Sequence, residues 1–65
     1  MNELKIEFIN NNYLYYATKE TDVNRAFGEF CFVMAVVGVN LDNMKVKEIV
    51  LRDRNGNDID REVFE

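Results

Sequence analysis

Cys31 is the one strong nucleophile in a chain that has no histidine and no serine. Its sequence neighbours are Phe30, Phe32 and Val33, and no basic residue stands beside it to favour the thiolate. The expectation is a small buried hydrophobe, chemically inert. Without histidine or serine, the usual arrangement of nucleophile, base and orienting acid cannot be assembled. Carboxylates do recur at short spacing, as in Asp58 with Asp60 and Glu3 with Glu7. Carboxylate catalysis needs one partner held protonated and the other ionised, and nothing near these pairs separates them in that way. Gly28, Gly38 and Gly56 are isolated, so no loop can cradle a phosphate. The reading is a protein that is not an enzyme and needs no cofactor.

One segment imitates a metal motif. Asp53-Arg54-Asn55-Gly56-Asn57-Asp58-Ile59-Asp60-Arg61-Glu62 opens like a calcium loop. Such loops place glycine sixth and a bidentate glutamate twelfth. Here the glycine is fourth, Phe64 stands at the twelfth place, and two arginines sit inside the loop. A plain hairpin turn is the better reading, with no metal site. The alternative is a small-ligand or metal-binding module built from this acidic turn and the tyrosine-rich stretch of Tyr13, Tyr15 and Tyr16.

The elements that must position these groups follow from periodicity. Leu4, Ile6 and Phe8 alternate with Lys5 and Glu7, the period of a half-buried strand. Asn10, Asn11 and Asn12 supply a turn, and Tyr13 to Thr18 reads as the returning strand. Two registers are open. A two-residue loop sets Tyr13, Tyr15 and Ala17 beside Leu4, Ile6 and Phe8; a three-residue loop sets Leu14 and Tyr16 there. Thr21 or Asp22 can cap a helix whose apolar stripe is Val23, Ala26, Phe27, Phe30, Met34 and Val37. Gly38 suits the left-handed position that ends it. Phe30 to Val37 also admits a buried strand, but the stripe begins earlier and keeps helical spacing. A connecting loop with Leu41 and Met44 leads to a third strand, Lys45 to Asp53. Asn55-Gly56 then turns the chain into a short strand around Ile59, with Arg61 to Glu65 as a tail or single helical turn. The expected fold is α+β: a small antiparallel sheet with one helix packed across a face, in the order β-β-α-β-(β).

The back of that helix is anomalous. With about 100° between successive residues, Phe32 and Val36 fall opposite the core stripe, flanked by Gly28 and Ala35. A helix covering one side of a sheet should be polar there. The expectation is an interface formed by Gly28, Phe32, Ala35 and Val36, used first for self-association. Leu41, Met44, Val63 or Phe64 folding over the face, or a different partner protein, are the other ways to cover it. Tyr13, Tyr15 and Tyr16 are a second candidate interface.

Size and charge bound the rest. Sixty-five residues make one domain, residues 1–65, with a thin core. A net charge of −4 with scattered basic residues argues against direct nucleic-acid binding. The longest strongly apolar run, Phe30 to Val39, is about half of the ~20 residues that span a bilayer, so no membrane partner is expected. A polar start and a lone cysteine fit the reducing cytoplasm. Abundant asparagine suggests an AT-rich bacterial or phage genome. Together these features describe a small acidic non-catalytic interaction module, a homodimer that binds, regulates or inhibits a larger host protein. In size, acidity and element order it is broadly similar to small phage-encoded inhibitor proteins, some of which mimic the charge of DNA.

Overall fold

Alternation at the start of the chain produces strand β1, Asn2–Phe8, and the aromatic stretch after it produces β2, Tyr13–Thr18. The computed structural model describes residues 1–41 and 45–64. The turn between the strands consists of Ile9, Asn10 and Asn11. Asn11 N–H donates to the Phe8 carbonyl at 2.9 Å, and Phe8 N–H donates to the Asn12 carbonyl at 2.8 Å. Asn11 takes a φ of 71°, the left-handed conformation that closes such a three-residue turn. The register follows: Leu4 opposes Tyr16 and Ile6 opposes Leu14. Of the two registers open in the sequence, the three-residue loop is realised.

Helix α1, Val23–Val36, starts where the capping residues predict. The Asp22 carboxylate accepts from the amides of Asn24 and Arg25 at 2.9 and 3.0 Å. A second acid completes the terminus: Asp60 Oδ2 accepts the Val23 amide at 2.8 Å. At the other end, Val39 N–H donates to the Met34 carbonyl and Gly38 N–H to that of Ala35. Gly38 has a φ of 81°, so the helix closes on a left-handed glycine. Val37, expected in the apolar stripe, is instead exposed, because it lies past the last helical residue as the C-cap.

Strand β3, Val46–Arg52, and strand β4, Asp58–Val63, form the second hairpin. Its turn repeats the first. Gly56, at a φ of 86°, donates to the Asp53 carbonyl at 3.0 Å, and Asp53 N–H donates to the Asn57 carbonyl at 2.9 Å. Asn55-Gly56 therefore supplies the last two residues of a three-residue loop. β4 is longer than the short strand expected around Ile59: Arg61 and Val63 pair with Val50 and Glu48, so this stretch is strand rather than tail. The reason is that β3 presents an unpaired edge long enough to take it.

The sheet is antiparallel throughout, in the order β2-β1-β3-β4. The α+β architecture expected from the sequence is the one observed. Helix α1 lies over β1, β3 and β4 on one face. Leu4, Ile6, Phe8, Ile49 and Leu51 from the sheet meet Val23, Ala26 and Phe30 from the helix, forming a core of wholly buried side chains. The opposite face carries Lys5, Glu7, Glu48 and Arg61, and no helix among the described residues covers it. Val50 lies on that face yet is only 4% exposed, between its cross-strand neighbours Lys5 and Arg61. Long basic side chains have the aliphatic stems to cover it.

Candidate functional site

The outer face of α1 is built by rotation alone. Phe32 and Val36 stand one turn apart and are 70% and 68% exposed. Gly28 stands one turn before Phe32, and Ala35 stands beside Val36. A methyl group added at Gly28 would meet nothing within 4 Å, so the glycine leaves a shallow gap on the helix surface. All four residues of the expected interface thus share one exposed face. Leu41 packs instead against the core cluster, and the Phe64 ring tilts against Phe27 at 5.9 Å. Neither Leu41 nor Phe64 is spent on covering Phe32. Val63 pairs with Glu48 on the face of the sheet away from α1, and Met44 lies outside the described residues.

Cys31 departs from expectation. It is exposed rather than buried. The same rotation of about 100° per residue that places Phe32 opposite the core puts Cys31 about 80° from Val23, on the flank. Reading its sequence neighbours instead of its angular position produced the wrong burial. Partial desolvation on that flank still pushes its thiol above the usual value. Cys31 also helps line an open cleft of about 440 Å³ at the C-terminal end of the helix, with Met34, Ala35, Gly38, Val39 and Leu41. Val39, 47% exposed, extends the apolar surface towards it and was not singled out in the sequence.

The three tyrosines do not form one surface. Tyr13 and Tyr15 project from the helix-free face with their rings edge-to-face at 5.5 Å, and the Lys5 ammonium lies 4.9 Å from the Tyr13 ring. Tyr16 points the other way, since it is one residue out of phase on the same strand. Its ring meets Phe30 at 5.7 Å, and its hydroxyl donates to Glu29 Oε1 at 3.0 Å. Thr18 donates to the same oxygen at 2.8 Å. Burial raises the Tyr16 pKa, and the Glu29 carboxylate raises it further. Tyr16 is thus a packing residue and leaves the second candidate interface to Tyr13 and Tyr15.

Three acids of the 53–62 segment, Asp53, Asp58 and Asp60, are already engaged. Asp53 Oδ1 accepts from the amides of Asn55 and Asn57, chiefly the latter, which holds its pKa below the usual carboxylate value. Asp58 pairs with Arg52 at 2.9 Å and Arg61 at 3.1 Å. Asp60 accepts from Val23 N–H on the helix and from Arg61 N–H. Among the described residues, no three histidine, cysteine or acidic side chains converge as metal ligands would. No helix among them is long and apolar enough to cross a membrane. Comparison with known protein families, curated proteins and solved structures finds no match to this chain.

Proposed function

We propose that this chain is a small non-catalytic interaction module whose first partner is a second copy of itself, bound through the outer face of α1. The observation that carries the reading is the exposed pair Phe32 and Val36 with the gap at Gly28 one turn away. The spacing is self-complementary. With two helices antiparallel and Phe32 on the two-fold axis, Val36 of each chain stands opposite Gly28 of the other, a knob facing a gap. The same arrangement brings Arg25 of each chain to the C-terminal end of the other helix, whose last turn has no basic residue of its own. Burying Phe32 and Val36 is worth roughly 1.5–3 kcal/mol for each side chain, a large increment for so thin a core. A dimer of this kind presents its acidic surface twice, which suits a regulator or inhibitor that docks on a larger protein.

The test is sedimentation of the wild type and of Phe32→Asp. The wild type is expected to associate at micromolar concentration, and the variant, still folded by circular dichroism, to lose the helix-mediated contact. A wild type that stays monomeric at high micromolar concentration, or a variant that associates as strongly, removes the reading.

A further inference from the structure

We infer that the free edge of β2 is a second self-association surface, pairing antiparallel with β2 of another copy so that Tyr15 faces Tyr15 across a two-fold axis. This goes beyond the helix contact and stands or falls separately from it. The two edges of the sheet differ in kind. β4 carries Asp58, Asp60, Arg61 and Glu62, and charge on an edge strand deters pairing. β2, Tyr-Leu-Tyr-Tyr-Ala-Thr, carries no charge at all. It also stands at the margin of the helix's cover, with Tyr13 53%, Leu14 41% and Tyr15 51% exposed on its two faces.

The backbone phase is set by the turn. The Phe8–Asn12 bond and the alternation of antiparallel ladders direct the amides and carbonyls of Leu14, Tyr16 and Thr18 towards β1. Those of Tyr13, Tyr15 and Ala17 therefore point away from the sheet. They are spaced evenly about Tyr15, so a second β2 run antiparallel matches donors to acceptors: Tyr15 with Tyr15, and Tyr13 with Ala17 in both directions. The side chains fit the same register. Tyr13 stands opposite the small Ala17, and Leu14 opposite Tyr16, apolar against aromatic. Tyr13 and Tyr15 are already ordered against each other, and Lys5 lies over the Tyr13 ring.

The self-matching register about Tyr15 selects a second copy as the occupant, and charge decides which edge it uses. With a net charge of −4, two copies repel wherever acidic surfaces meet. Pairing β4 with β4 about Asp60 would set acid against acid. In the β2 pairing the nearest charges, Lys19 and Glu20, fall beside the other copy's Asn11 and Asn10 turn residues. Two four-stranded sheets then become one continuous sheet with both helices on the same side.

Amide hydrogen exchange by NMR, read against concentration, tests this on the full chain. In dilute protein the amides of Leu14, Tyr16 and Thr18 are expected to be protected and those of Tyr13, Tyr15 and Ala17 open. Raising the concentration should slow exchange at Tyr13, Tyr15 and Ala17 by about tenfold or more. Tyr15→Glu, which sets two carboxylates opposite each other across the axis and faces Lys5 within its own sheet, should abolish that slowing while leaving β1–β2 protection intact. Ala17→Pro, which removes an outward amide that the sheet does not use, should do the same. The slowing should persist in Phe32→Asp, whose helix contact is gone. If exchange at Tyr13, Tyr15 and Ala17 is independent of concentration, or slows equally in Tyr15→Glu, the proposal is wrong. An extended peptide of another protein would then be the occupant to seek. Loss of the helix contact in Phe32→Asp with the alternate protection retained would support the edge and helix surfaces as separate contacts.

Discussion

Glu29 shows how one surface acid can tie two elements together. It projects from α1, and its Oε1 receives hydroxyls from Tyr16 and Thr18 on β2. Thr18 is almost wholly buried, and its own oxygen accepts the Glu20 amide. The phenol of Tyr16 is held protonated by burial first and by Glu29 second. For an acid whose pKa is raised by folding, stability is complete below the unfolded value. It falls as pH rises through the range where the unfolded chain has released its proton and the folded chain has not. As pH rises above about 10, where an unfolded tyrosine releases its proton, wild type is therefore expected to lose stability more steeply than Tyr16→Phe, as read by denaturant titration. Cys31 makes a second residue-scale expectation. Being exposed, it should react with a thiol reagent in the native state to one equivalent per chain. With its pKa raised it should react more slowly than a free thiol at neutral pH, because less thiolate is present. Failure to label without denaturant would show it buried after all.

At the scale of elements, the helix carries the clearest test. Glycine inside a helix costs about 1 kcal/mol relative to alanine, and nothing around Gly28 forbids a methyl group. Gly28→Ala in the Phe32→Asp background, which lacks the helix contact, is thus expected to raise Tm by about 4–8 °C. In the wild-type background the same methyl fills the gap proposed for Val36, so self-association should weaken while the monomer gains stability. A variant that is more stable and associates equally well would place the contact elsewhere. The elements themselves were legible in the sequence to differing degrees. The alternation of Leu4, Ile6 and Phe8, the asparagine and Asn-Gly turns, the Asp22 cap and the Gly38 terminator are local devices, and each formed as its chemistry demands. The extent of β4 was not legible. Asp58–Val63 has weak strand character of its own and is extended by the edge β3 offers.

For the whole molecule, the thin core is the controlling quantity. Leu4, Ile6, Ile49 and Leu51 are fully buried and face one another across β1 and β3. Leu51→Ala should cost about 2–5 kcal/mol, which rivals the total stability of a domain this small. Such a variant should be largely unfolded at 25 °C by circular dichroism. Ile59→Ala, at an exposed site on β4, should change stability by less than about 1 kcal/mol. Similar losses at the two positions would mean that burial does not divide the sheet as described.

What the amino-acid sequence determined by itself is what neighbours along the chain can decide. Periodicity defined strands and helix, and caps defined ends. Tertiary structure decided everything that depends on which strand stands beside which. The choice of hairpin register turned Tyr16 into the core layer and left Tyr13 and Tyr15 outside. Asp60, far along the chain on β4, became a second cap for α1 because β4 lies next to the helix start. The strand order made β2 and β4 the edges, and with that made an uncharged strand a surface. The physical reason is common to all three. A backbone amide or a side chain acquires its role from the group opposite it, and in a sheet that group is supplied by a segment distant in sequence.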